Sequence, residues 1–97
     1  MKRRTNEMSL GEAIEAFLQK NGLKDQSQIH QVIQDWGRIM GRAVRENTDR
    51  IWFQNGVFFI RMADPVWRSE LMMGRETIRK RLNNEMGREL IREVKIL

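Results

Sequence analysis

The first part of the chain places apolar residues three and four positions apart, which is the spacing of an amphipathic helix. Ser9 and Glu12 form a capping-box pattern, so we predict that the first helix begins there. Asn21 and Gly22 predict its end, because glycine readily adopts the left-handed conformation of a helix C-cap. The apolar stripe of this helix consists of Leu10, Ile14, Phe17 and Leu18.

A longer helical pattern predicts a second helix from about Ser27 to Asn47, with a broad buried face. Gly37 and Gly41 lie on the edge of that face. Because a glycine inside a helix costs up to about 1 kcal/mol relative to alanine, we expect another backbone to approach closely there. The predicted buried face consists of Ile29, Val32, Ile33, Trp36, Ile39, Met40, Ala43 and Val44.

The apolar pattern changes to strand-like runs over residues 51–54 and 57–62, which predict a β-hairpin. Asn55 and Gly56 separate the two runs, and Asn-Gly favours a two-residue turn because both residues tolerate positive φ. Such a turn fixes the register and therefore the face of each side chain. The face expected in the core carries Ile51, Phe53, Phe58, Ile60 and Met62, and the other carries Trp52, Gln54, Val57, Phe59 and Arg61.

Asp64 and Pro65 predict the start of a third helix, which extends to about Met86 and is closed by Gly87. The last eight residues alternate in polarity and predict a third strand, parallel to the second because the crossover is right-handed. Its neighbour, the first or the second strand, is not decided by the sequence. The order α-α-β-β-α-β predicts an α+β fold in which a three-stranded sheet packs one face against helices.

The composition is that of a small basic chain without cysteine. Its 97 residues carry a formal net charge of +5, which favours polyanionic partners. No apolar run is long enough to span a membrane, and the opening MKRRTNEM lacks the apolar segment of a secretory signal. We expect a cytoplasmic, nucleoid-associated monomer, with a flexible basic lead over residues 1–8 and a single domain over residues 9–97.

The third predicted helix combines a buried stripe with a basic flank. On a continuous helix, Arg68, Arg75 and Arg79 share one flank, which Met72 interrupts. This flank is either a solvated surface or a contact surface for phosphates and acidic side chains. Exposed methionine suits a protein interface, although it also fills gaps in cores. The stripe expected to meet the sheet consists of Trp67, Leu71, Ile78 and Leu82.

The second candidate surface is the outer face of the predicted sheet. Aromatic side chains beside arginine on an open sheet stack bases, and Trp52, Phe59 and Arg61 offer this combination. The alternative, which we favour from the sequence, is that the first helix or the basic lead covers this face as a second core layer.

The order of several short motifs resembles the KH-like domain of the DciA family, formerly a domain of unknown function. The resemblance covers about residues 9–97, within LGEAIEAFLQKNGL, VIQDWGRIMG and ENTDRIWFQNGVFFIRMADPVWRSEL. No single motif is specific, but their order and spacing together are typical of the family. The motifs are L-G-x-A-I-x-x-F-L, Trp36 with Gly41, Asn47-Thr48, Asn55-Gly56 and Pro65-x-Trp67-x-x-x-Leu71.

This resemblance implies a KH-like fold and a role in bacterial DNA replication. Proteins of the family act with the replicative helicase DnaB, assist its loading on DNA, and bind DNA themselves. The tryptophan of the family's P-x-W motif maps onto Trp67, which we therefore link to helicase-related function. Many members carry a flexible tail, whereas this chain ends at Leu97. The Gly-x-x-Gly loop of true KH domains is absent, so we do not expect KH-type sequence-specific RNA binding.

Nothing in the sequence indicates an enzyme, a metal site or a cofactor. His30 is the only histidine, and no P-loop motif is present. Three functions stay open: a DnaB partner with weak, salt-sensitive DNA binding, a general nucleic-acid-binding module, and an RNA-associated protein that stacks bases on Trp52 and Phe59. The protein-interaction candidates are Trp67, Arg68, Met72, Arg75 and Arg79. The nucleic-acid candidates are Lys2, Arg3, Arg4, Arg61, Arg68, Arg75 and Arg79.

Overall fold

The computed structural model describes residues 9–20 and 22–97. The basic lead over residues 1–8 and Asn21 lie outside the described residues, as do the candidate side chains on that lead. The described chain is a mixed α+β fold that keeps the predicted order once adjacent helices are grouped. Its elements are α1 (Leu10–Lys20), α2 (Leu23–Gln34), α3 (Trp36–Met40), α4 (Arg42–Glu46), β1 (Thr48–Gln54), β2 (Val57–Met62), α5 (Pro65–Met73), α6 (Arg75–Met86) and β3 (Glu93–Ile96).

The predicted capping box at the start of α1 is confirmed. The Ser9 backbone N–H donates to Glu12 Oε1 at 2.8 Å, and the Glu12 N–H donates to Ser9 Oγ at 3.1 Å. These bonds, the first above all, hold the pKa of the Glu12 carboxyl below its ordinary value. After α1 the chain turns at Gly22, where φ is 72°.

The apolar stripe of α1 faces solvent along its described length. Leu10 is 78% exposed, Ile14 51% and Phe17 59%. The helix packs against α2, to which an ion pair between Glu15 and Lys24 also joins it. The expectation that this helix covers the outer face of the sheet is therefore wrong.

The single helix predicted from Ser27 to Asn47 is wrong, because this region forms α2, α3 and α4 and begins at Leu23. At Gly41 the backbone has φ 95° and ψ 158°, a conformation essentially restricted to glycine. The predicted approach of another backbone is also wrong: a Cβ on Gly37 would meet Arg45 Cδ at 2.8 Å. Ala43, predicted in the buried face, is exposed.

The predicted hairpin and its register are confirmed. Asn55 and Gly56 have φ values of 52° and 80°, and Phe53 pairs with Phe58 across the antiparallel strands β1 and β2. Strand β3 pairs with β2 in parallel, so the sheet order is β1-β2-β3. This order answers the question that the sequence left open, although β3 is shorter than the predicted last strand.

The start of the third predicted helix is confirmed, but its continuity is not. Asp64 Oδ1 accepts hydrogen bonds from the backbone N–H groups of Val66 at 2.7 Å and Trp67 at 3.2 Å. The helix is interrupted at Gly74, which separates α5 from α6. The predicted single helix is therefore wrong at this point, and the shared flank expected for Arg68, Arg75 and Arg79 on a continuous helix does not hold across the break. Gly87 closes α6 with φ 72°, as predicted.

One core lies between the helices and the inner face of the sheet. The Trp36 ring packs against Phe58 at a centroid distance of 5.8 Å, and its indole N–H donates to Thr48 Oγ1 at 3.0 Å. No helix of the described chain has the length and apolar character to cross a membrane. The buried apolar residues are Ile29, Val32, Trp36, Ile39, Val44, Phe58, Ile60, Met62, Leu71, Ile78, Leu82, Ile91, Val94 and Ile96.

A buried asparagine on α6 hydrogen-bonds to the segment that precedes β3. Asn83 is 1% exposed. Its Nδ2 donates to the Ile91 carbonyl at 2.9 Å, and its Oδ1 accepts from the Ile91 N–H at 2.8 Å. One side chain therefore satisfies both backbone polar groups of a residue that is itself buried.

Candidate interaction surfaces

Helix α5 exposes apolar side chains at both ends and carries a tryptophan that packs against the core. Trp67 is half-buried and packs against the core cluster, while its backbone N–H is held by Asp64. Val66 is exposed, as are Met72 (40%) and Met73 (77%). Met72 lines a groove together with Arg75 and residues 93–97, and exposed methionine is suited to an adaptable apolar contact.

The structure places the three arginines of the predicted flank in different environments. Arg68 is exposed on α5. Arg75 begins α6 and donates from Nη1 to the Met72 carbonyl at 2.8 Å, which caps the interruption at Gly74. Arg79 is half-buried and paired with carboxylates at the surface. The flank is therefore a row of unlike groups rather than three equivalent phosphate contacts.

Arg79 joins α6 to the segment that leads into β3. Its guanidinium pairs with Glu76 at 2.7 Å and with Glu89 at 3.4 Å, and its side chain is only 17% exposed. The hydrogen bond to Glu76 raises the pKa of Arg79, and the same bond lowers the pKa of Glu76. The charge of Arg79 is thus largely neutralised within the chain.

The outer face of the sheet carries a stacked aromatic pair. Trp52 and Phe59 are cross-strand partners, and their rings lie 4.9 Å apart with an interplanar angle of 7°. Both side chains are half-buried rather than enclosed. Since α1 does not cover them, they remain accessible among the described residues.

Three cations surround this pair. Arg50 and Arg61 are register partners whose guanidinium carbons lie 4.6 Å and 5.4 Å from the Trp52 ring centroid. Lys95 on β3 lies opposite Phe59. All three side chains are exposed, and none forms an ion pair with a carboxylate in the part of the chain that the structure describes. We call Arg50, Trp52, Phe59, Arg61 and Lys95 the open face.

Sequence reasoning found part of the open face and missed Arg50 and Lys95. Strand β1 begins three residues earlier than predicted, at Thr48, with a register irregularity between Thr48 and Arg50. The alternation of Arg50 with Trp52 was the available signal. Lys95 required the order of the sheet, which places β3 beside β2.

The histidine and the carboxylates of the described chain are dispersed over its surface. His30 is exposed and its Nε2 lies 3.4 Å from the amide nitrogen of Gln34. Within residues 9–20 and 22–97, no three acidic, histidine or cysteine side chains are grouped as metal ligands.

The chain is thus a small basic α+β domain, and its described surfaces expose aromatic, apolar and cationic side chains. The chain belongs to the DciA family, since the family model described as "Dna[CI] antecedent, DciA" matches residues 9–96. The predicted resemblance is thereby confirmed. No curated protein and no solved structure gives a significant match. Membership implies a role in DNA replication through loading of the DnaB helicase.

Proposed function

We propose that this chain is a non-enzymatic replication accessory protein that binds DnaB, assists its loading onto DNA, and itself binds DNA weakly. The observation that carries the proposal is the family match over residues 9–96. A basic chain with a net charge of +5 also suits a protein that works beside DNA.

The helicase contact is proposed for the surface of α5 around Trp67. Its proposed contacts are Trp67, Arg68 and Met72. Trp67 supplies an aromatic ring anchored in the core, Arg68 an exposed charge that has no ion pair within residues 9–20 and 22–97, and Met72 an exposed apolar side chain. Aromatic and arginine side chains dominate the binding energy of many interfaces. Arg75 and Arg79 lie next to this surface on α6. Arg75 donates a hydrogen bond to the Met72 carbonyl, and Arg79 pairs with Glu76.

The test is co-elution of the purified chain with DnaB, followed by recruitment of DnaB to single-stranded DNA. We expect Met72→Glu to weaken the complex at least tenfold, because it places a charge in the apolar contact. Gln26→Glu is the matched control, since it adds the same charge at an exposed position of α2. Equal binding by both variants would remove α5 from the interface.

The alternative function is a general nucleic-acid-binding module without a helicase partner. Lys2, Arg3 and Arg4 on the lead are proposed phosphate contacts in either function, together with Arg61, Arg68, Arg75 and Arg79. Of these, Arg79 must first release Glu76 and Glu89. The alternative is favoured if DNA affinity falls steeply with salt while DnaB does not co-elute at any salt concentration.

A further inference from the structure

We propose that the open face is a binding site for single-stranded DNA, with bases stacking on Trp52 and Phe59 and phosphates contacting Arg50, Arg61 and Lys95. This inference rests on the proposed function, because the replication role selects DNA rather than RNA as the strand. It specifies a site and a strand type on the sheet, on elements other than the helicase surface of α5.

The aromatic groups are already ordered for stacking. The rings of Trp52 and Phe59 are parallel within 7°, and each is fixed by its position in a paired strand. Because the stack exists in the free protein, binding costs little conformational entropy. The two rings also remain partly exposed, as a platform for bases requires.

The arginines on Trp52 are positioned to exchange one contact for another. An exposed cation–π contact is weaker than the stacking of a base on an aromatic ring, so a base can displace a guanidinium from the indole. The displaced Arg50 or Arg61 then lies beside the strand, where a phosphate offers it a stronger, charge-assisted contact.

The charge of the open face complements a phosphate backbone. Several arginines elsewhere are paired with carboxylates, among them Arg38 with Glu85 at 2.9 Å and Arg88 with Asp25 at 2.6 Å. The cations of the open face have no carboxylate partner in the described chain, as noted above. Their charge is therefore available to a ligand, and the sheet supports them on all three of its strands.

The same geometry selects unpaired bases. In a duplex the faces of the bases are covered by their neighbours, so Trp52 and Phe59 cannot reach them. The open face crosses three strands, or roughly 10 Å, which accommodates about two or three nucleotides. Binding should therefore be weak and tolerant of sequence, since every base has a π-face.

The test is fluorescence anisotropy with a labelled (dT)20 strand, a matched 20-base-pair duplex and a (rU)20 strand. We expect the wild-type chain to prefer (dT)20 over the duplex. Trp52→Leu keeps an apolar side chain but removes the ring, and should weaken (dT)20 binding about tenfold, within the range for one stacked base, with duplex binding unchanged.

A charge variant keeps the test decisive if the leucine variant does not fold. Arg50→Gln with Arg61→Gln changes only exposed side chains and should lower the slope of log affinity against log salt by about 1.4, or 0.7 per lost contact. Lys20→Gln with Lys80→Gln is the matched control, because it removes two exposed charges on α1 and α6.

Three results would overturn the inference: wild-type affinity in the Trp52→Leu variant, equal salt slopes in the two charge variants, or tighter binding of (rU)20 than (dT)20. Co-elution of the same variants with DnaB separates this inference from the proposed function. Loss of DNA binding with an intact helicase complex supports both, whereas absence of the complex with intact (dT)20 binding refutes only the helicase role.

Discussion

Replacing Asn83 by alanine tests how much two buried hydrogen bonds stabilise the fold, because the Asn83 side chain makes both of them with the Ile91 backbone. Asn83→Ala leaves the N–H and carbonyl of Ile91 without their partner, in a residue that is 1% exposed. An unsatisfied buried polar group costs about 1–3 kcal/mol. The carbonyl keeps a weak contact with Arg79 Nη1 at 3.5 Å, so we expect a total loss of about 2–4 kcal/mol.

This loss is large for a domain of this size. Folded domains are stable by only about 5–15 kcal/mol, and each kcal/mol shifts the Tm of a small domain by about 4–8 °C. We therefore expect Asn83→Ala to lower Tm by about 8–32 °C. Urea unfolding followed by tryptophan fluorescence measures the free energy directly, since buried Trp36 packs against Phe58 and reports on the core.

The neighbouring Asn84→Ala variant is the control, because Asn84 is exposed and shares the helix. Its stability should stay within about 0.5 kcal/mol of the wild type. If Asn83→Ala is as stable as Asn84→Ala, the two hydrogen bonds between Asn83 and Ile91 do not stabilise the fold.

The remaining predictions concern the helix breaks and the surface ion pairs. Gly41→Ala should destabilise the fold by about 1–3 kcal/mol in thermal unfolding, because φ 95° is unfavourable for alanine; Gly74→Ala, at φ −101°, should not, and equal losses would contradict this account. The pKa of Glu76 should lie below its ordinary value in an NMR titration, because Arg79 donates hydrogen bonds to it. A lowered folded pKa means that this contact stabilises the fold above the unfolded pKa of about 4.3 and is lost as pH falls through the lowered value. Arg79→Gln should return the Glu76 pKa to its ordinary range, and no change would disprove the assignment.

Local sequence signals predicted the chain's turns and caps well, because a few neighbouring residues determine them. Asn55 and Gly56 set the hairpin, and Asp64 caps α5, through contacts within two or three residues. The helix breaks at Gly41 and Gly74 were missed, because the apolar pattern around them is that of a continuous helix. Apolar periodicity continues through a short interruption, so it does not reveal a change of backbone direction.

The candidate surfaces were harder to predict, because exposure depends on contacts between distant elements. The stripe of α1 that contains Ile14 has the apolar pattern of a buried face, but it is exposed. The reason is that α1 packs against α2 and leaves this stripe uncovered by the described chain. Arg79 has the pattern of a solvated cation, but Glu89, ten residues away, holds it. The open face was recognised only in part, since Lys95 joins Phe59 through the order of the strands.

Binding of this chain to the replicative helicase is tested by co-elution of the purified chain with DnaB of its own organism at low and moderate salt. We expect a complex that survives moderate salt, because apolar contacts of Trp67 and Met72 are not screened by ions. Failure to co-elute at either salt concentration, with a folded chain and active helicase, would contradict this expectation.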